Sequence, residues 1–273
     1  MTPLRVAAAQ AAAVPGDLVA NAATAGRLVR RAGDAGARVV VLPEAFLVGY
    51  DGPVLAGPLP TPAQATGPVL DPVRESCRAT GTTALVGVAL DRGATRTLSL
   101  LLARPDGEVV PAYDKQHLDA DEKQVFTTGD AGASVRVEGH ELGLAVCYDA
   151  CFPEHARAAA EDGALGYLVS AAWFRGAEHR RDLHHAARAV ENGSYVVVSG
   201  LTGRCGGSDF SGGSAVYDPE GRPLARLGTE EGVAVADLDP ALVAATRARH
   251  TMLADHRSAL DTGPGGLGQR RVR

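Results

Sequence analysis

The sequence predicts a single α/β domain with mixed sheets, and three observations carry that prediction: short continuous apolar runs, amphipathic helical stretches set between them, and strands joined by tight Pro/Gly turns. With 273 residues, of which 45% are hydrophobic and 22% charged, the chain can bury a sizeable core and is too apolar to be disordered. One domain over residues 1–261 is the simplest division, because neither linker composition nor an internal repeat interrupts it.

Residues 4–9 are an apolar run expected as the first strand. After the turn at Pro15 and Gly16, Asp17 caps a helix carrying Leu18, Ala22, Ala25, Leu28, Val29 and Ala32 on one face, closed by Gly33 and Gly36. Residues 39–42 form a continuous apolar strand of the kind covered on both faces, and it ends at Pro43 and Glu44. Residues 83–89 and 97–103 read as strands, and the Pro105, Asp106, Gly107 turn returns the chain into Val109 and Val110, a hairpin pattern rather than a crossover. A polar stretch, 114–130, leads to the strand 142–146, which ends directly on Cys147 before Pro153 opens a helix.

A strand at 167–170, a helix from about 179 to 191 burying Leu183, Ala186, Ala187 and Val190, and a strand at 195–199 continue the alternation. Residues 215–217, the Asp218, Pro219, Glu220, Gly221 turn and residues 233–237 predict a second group of paired strands, followed by a helix begun by Asp239 and Pro240. The tail, 262–273, is rich in Gly and Arg without apolar periodicity and is expected to be exposed or docked on a partner subunit.

The formal net charge of −5 argues against nucleic-acid backbones and anionic membrane surfaces as partners. The first ten residues lack the basic and long apolar regions of a signal peptide, and no run of eighteen apolar residues occurs, so a cytoplasmic location is expected. Cys77, Cys147, Cys151 and Cys205 are irregularly spaced without a CxxC pair, which points to free thiols rather than a disulfide framework or a zinc site.

Three polar residues end apolar strands: Glu44, Lys115 and Cys147. Such positions face the crevice where α/β sheets place ligands, so the three are candidates to converge. Their chemistry is complementary. A cysteine attacks a carbonyl or nitrile carbon only as thiolate and needs a neighbouring base; Glu44 fits that role and can return the proton to a departing amine. Lys115 supplies a fixed positive charge for an oxyanion, together with a backbone N–H after the nucleophile. This chemistry needs neither a metal nor a cofactor.

The residues around these three resemble the nitrilase superfamily, or carbon–nitrogen hydrolases. Leu42, Pro43, Glu44 with Gly49 and Tyr50 match its first catalytic motif, Tyr113, Asp114, Lys115 with His117 and Leu118 its second, and Cys147, Tyr148, Asp149 with Phe152, Pro153 and Glu154 its third. Phe126 with Gly129 and Asp130, Ala187 to Ala189 with Glu191 and Asn192, and Gly212 to Ser214 before Asp218 add to the match. The resemblance implies a four-layer αββα sandwich with two mixed β-sheets, a Glu44, Lys115, Cys147 triad, a thioester intermediate, and homodimers or higher homo-oligomers. It implies that Glu122 is an additional glutamate holding substrate or Lys115. The residues after the nucleophile resemble the amidase branches rather than true nitrilases or the carbamoylputrescine type, and Cys151 departs from them, since amidase relatives often carry Arg or Glu there.

Taken singly, Glu44, Lys115 and Glu122 have a simpler account as solvated charges, and Cys77, Cys151 and Cys205 as packing or incidental thiols. His179, His184 and His185 share helical spacing without a carboxylate partner and read as solvated helix residues rather than metal ligands. Trp173, Tyr50 and Tyr148 are core or pocket wall, and the resemblance favours pocket wall for substrate. The expected reaction is hydrolysis of a small linear carboxamide to carboxylate and ammonia. An N-carbamoyl amine hydrolase, a nitrilase and a catalytically silent binding protein on the same scaffold are the alternatives.

Overall fold

Continuous apolar runs need cover on both faces, and the chain meets that need by stacking two sheets and covering each outer face with helices. The computed structural model describes residues 2–257. In the first sheet β1 (Leu4–Gln10), β2 (Val39–Val41) and β3 (Thr83–Asp91) are parallel, and β4 (Arg96–Ala103) and β5 (Val109–Asp114) continue from β3 as the expected antiparallel meander. The second sheet contains β6 (Ser134–Val137), β7 (His140–Val146), β8 (Gly166–Ala171) and β9 (Tyr195–Gly200), with the last three parallel. A ribbon of β10 (Thr202–Cys205) and β11 (Ser208–Ser211) precedes β12 (Ala215–Tyr217) and β13 (Pro223–Arg226), which extend the second sheet beyond β9.

β14 (Gly232–Leu238) crosses to the first sheet and pairs antiparallel with β1, Leu4 opposite Leu238 and Gln10 opposite Gly232. The expectation that 215–217 and 233–237 pair with one another is corrected here. The Asp218 turn sends the chain into β13 instead, with Asp218 Oδ1 accepting the Glu220 and Arg222 N–H groups at 2.9 Å each.

Between the sheets lies an apolar layer that includes Val6, Val41 and Leu100 from the first and Leu144, Leu168 and Val197 from the second. On the outer face of the first sheet packs α1 (Leu18–Asp34), whose N-cap Asp17 accepts the Ala20 N–H at 2.9 Å. The short α2 (Gly52–Ala56) and α3 (Pro62–Ala65) lead to α4 (Asp71–Thr80), which lies so close to α1 that a Cβ on Gly26 would sit 2.7 Å from the Pro72 carbonyl oxygen. The second sheet is covered by α5 (Pro153–Glu161) and α6 (Glu178–Asn192), with Ala156 and Ala189 against Tyr167, Val169 and Val196. The layers are therefore α, β, β, α, and α7 (Pro240–Arg249) follows β14.

One face of α6 differs from expectation. Leu183 and Val190 are 58% and 41% exposed, while Arg181, His185, Arg188 and Ala189 are buried. Arg181 can turn inward because its Nη1 donates to the Ser211 Oγ and the Gly212 carbonyl, both at 2.9 Å, which satisfies a charge that burial would otherwise penalise. The expected tail, 262–273, and the domain limit at 261 lie outside the described residues. Among the described residues no helix is long and apolar enough to cross a membrane.

Candidate active site

The strand directions bring the three strand-end residues to one edge. β2 and β5 run the same way in the first sheet, so the chain leaves both at that edge, at Glu44 and at Lys115. β7 delivers Cys147 from the second sheet. Two cross-sheet bonds hold the edges together: Ser170 Oγ donates to the Leu42 carbonyl at 2.7 Å, and the Glu44 N–H donates to the Ala171 carbonyl at 3.4 Å. Beneath Glu44 the chain requires glycine, because a Cβ on Gly87 would stand 2.1 Å from the Pro43 oxygen and 2.8 Å from Glu44 Cα. Cys147 itself holds φ at +43°, a left-handed conformation uncommon outside glycine, at a sharp strand-to-turn junction. The α-helix after the nucleophile begins at Pro153, as expected, and a 3₁₀ turn, Cys147–Cys151, joins it to the strand end.

Glu44, Lys115 and Glu122 form one buried ionic cluster. Lys115 Nζ donates to Glu44 Oε1 at 2.7 Å and to the two Glu122 oxygens at 2.6 and 2.8 Å, and the Lys115 and Glu44 side chains are each 1% exposed. Glu122 also accepts the Tyr50 hydroxyl at 2.7 Å and the Asp119 N–H at 2.8 Å. Burial alone would strip Lys115 of its proton, but the Glu44 and Glu122 carboxylates together outweigh it and hold the ammonium above its ordinary pKa. For Glu44 burial wins: with Glu122 adding to it and Lys115 opposing, its pKa is raised to about 7. Burial, and then the Glu44 charge, push the Cys147 thiol well above its ordinary value, with Lys115 acting in the opposite sense. At rest the proton therefore stays on sulfur, beside a carboxylate suited to take it.

The loop bearing the nucleophile hangs on Asp149, whose role the sequence motif did not disclose. This buried carboxylate accepts four hydrogen bonds: the Val146 N–H at 3.0 Å, the Tyr113 hydroxyl at 2.8 Å, the His117 N–H at 2.8 Å and His117 Nδ1 at 2.9 Å. His155 continues the network, its Nε2 2.9 Å from the Tyr113 oxygen and its Nδ1 2.7 Å from the Tyr167 hydroxyl. Because Tyr113 donates to Asp149, the pattern assigns the His155 proton to Nε2. His117, Asp149 and His155 have ligand atoms within 4.8 Å of one another, a spacing a metal could use, but here those atoms serve the hydrogen bonds just described. From the other side Arg188 Nε donates to the Ala150 carbonyl at 2.8 Å. Asp149→Asn turns one acceptor oxygen into a donor facing N–H groups, so it should cost about 2–3 kcal/mol of stability and lower kcat by misplacing Cys147. Thermal unfolding and steady-state kinetics check both expectations.

A cavity of about 210 Å³ opens over the cluster, lined by Lys115, Cys147, Tyr50, Glu122, Tyr148 and Trp173. The structure thus brings together all seven residues singled out in the sequence. It also corrects two readings. Cys151, read as a packing or incidental thiol, lines the same cavity, whereas Cys77 and Cys205 are buried as expected. His185 is not solvated: it is buried, its Nδ1 lies 2.7 Å from the Arg181 carbonyl, and burial lowers its pKa to about 3. Phe174, Ala177 and Arg180 complete the mouth, and only the cavity itself reveals them.

A two-sheet sandwich flanked by helices, with a cysteine above a buried Glu–Lys–Glu cluster, defines a hydrolase scaffold of the amidase kind. Residues 5–248 match the carbon-nitrogen hydrolase family, and the chain belongs to that family of enzymes cleaving carbon–nitrogen bonds. It is 31% identical to the deaminated glutathione amidase of Escherichia coli O157:H7 over 246 residues, covering 88% of this chain and 92% of the relative. It is likewise 31% identical to the 2-oxoglutaramate amidase of Bacillus subtilis strain 168, covering 74% and 78% respectively. Among solved structures, a doubly mutated amidase from Nesterenkonia sp. AN1 in complex with acrylamide superposes with a TM-score of 0.81 at 31% identity, covering 93% of this chain and 94% of that one. These relatives support amide hydrolysis at the level of the family.

Proposed function

We propose that the protein hydrolyses a small linear carboxamide to carboxylate and ammonia through a thioester on Cys147. The observation that carries this reading is that Cys147 and Lys115 line one small cavity, with Glu44 bonded to Lys115 beneath it. Sγ attacks the amide carbon as Glu44 takes the thiol proton. The oxyanion forms against the Lys115 ammonium and the Tyr148 N–H, which lies at the start of a helical turn, where N–H groups have no partner within the turn. Glu44 then returns its proton to the amine, ammonia leaves, and the thioester remains. Water attacks that thioester as Glu44 takes a proton from it, the carboxylic acid departs, and the proton returns to sulfur. Glu122 and Tyr50 hold the Lys115 side of the cluster, while Tyr148 and Trp173 wall the substrate.

Ammonia release from a panel of linear amides, nitriles and N-carbamoyl amines tests the reading, with Cys147→Ala as control. Release from amides, without carbon dioxide and lost in the variant, is the expected result. Turnover of carbamoyl compounds with carbon dioxide release, or of nitriles alone, overturns it.

A further inference from the structure

We infer that Arg180 is a specificity-determining residue that binds a carboxylate, so that the preferred substrate is the monoamide of a short dicarboxylic acid. The inference rests on the amidase reading above and adds the chemical class of the substrate. The Lys115 ammonium is bound by Glu44 and Glu122, so it carries no surplus attraction for a second anionic group on a substrate. Arg180 lines the same cavity, at its mouth, and has neither a hydrogen bond nor an ion pair among the described residues.

Its neighbours on α6 show that this is not a general property of the helix. Arg181 is committed to Ser211 and Gly212, and Arg188 to Ala150 and Glu191. Arg180 alone of these three keeps its donors free beside the pocket, and its charge acts on the Cys151 thiol, which lines that pocket too. Its place in the helix points the same way. Arg180 sits in the first turn of α6, a fifteen-residue helix, where the aligned peptide dipoles disfavour a cation. An anion bound at the mouth would offset both positive sources, and a guanidinium is suited to a carboxylate through paired N–H donors.

The other charge at the mouth is Asp119, which is exposed and forms no ion pair with Arg180. Its own carboxylate accepts the Ala120 N–H and its backbone N–H holds Glu122, so it belongs to the turn that positions Glu122. A cavity of about 210 Å³ restricts the substrate to a few carbons between amide and carboxylate.

The test compares two amides of similar length, the monoamide of succinate and butyramide, by kcat/KM. The native protein is expected to prefer the succinate monoamide, chiefly through a lower KM. Arg180→Gln should reduce the succinate-to-butyramide selectivity ratio by about 10- to 100-fold, the size of a hydrogen-bonded charge pair, and Arg180→Lys should restore part of it. Raising salt should lower the native ratio and leave that of Arg180→Gln unchanged. A native preference for butyramide, or a ratio unmoved by Arg180→Gln, overturns the inference while leaving the amidase reading intact. Failure of both amides in the native protein sinks that reading itself and the inference with it.

Discussion

Cys147→Ala is expected to lose turnover by about 10⁴-fold or more, since Cys151, the other thiol lining the cavity, has no hydrogen bond to Glu44 or Lys115 and so lacks a base to activate it. The protein should remain folded, because the change removes one sulfur from a residue that already faces a cavity and leaves the Asp149 hydrogen bonds untouched. Cys205→Ala should keep its activity, as Cys205 is buried and does not line the cavity. Cys151→Ala should alter KM more than kcat, because its thiol lines the pocket without meeting Glu44 or Lys115. Equal loss in all three variants would contradict a single nucleophile.

Glu44→Gln is expected to lower kcat by about 10²- to 10⁴-fold, the range for a positioned general base, and to slow acylation and thioester hydrolysis together. The native protein gives this prediction a pH signature. Glu44 must be ionised to accept the thiol proton, and burial raises its pKa to about 7, so kcat/KM should fall as pH drops through about 7. Above that pH the base is charged and the limb levels off. The glutamine variant should lack the limb. Acyl-enzyme accumulating at the native acylation rate would show that Glu44 is not the first base, and an acid limb surviving in the variant would assign it to another group.

Where one residue or one strand carried its own signal, the sequence disclosed it. Glu44, Lys115 and Cys147 each end an apolar run, and parallel strands such as β8 and β9 stand out as unbroken apolar segments. Those three were legible for that reason, whereas Tyr50, Glu122, Tyr148 and Trp173 carry no such local signal and were singled out through the resemblance of the ordered motifs. α4 was not, because it buries only Val73 and Cys77 and so lacks an apolar stripe. The inner face of α6 was misread since Arg181 and Arg188 are stabilised by carbonyls from other elements, which no local pattern announces. Asp149 was similarly hidden: its partners Tyr113 and His117 are more than thirty residues away in sequence. β14 was placed with the wrong partner because strand pairing at a sheet edge is decided by the crossing between sheets, not by the strand's own residues.

The most direct test of covalent catalysis is the intact mass of the protein quenched during turnover of a small amide, followed by mapping of the modified peptide. The account predicts an added acyl mass on Cys147, gained with loss of ammonia and absent in Cys147→Ala. Full turnover with no adduct at any quench time, in the native protein and in the slowed Glu44→Gln variant alike, or an adduct on another residue, would contradict it.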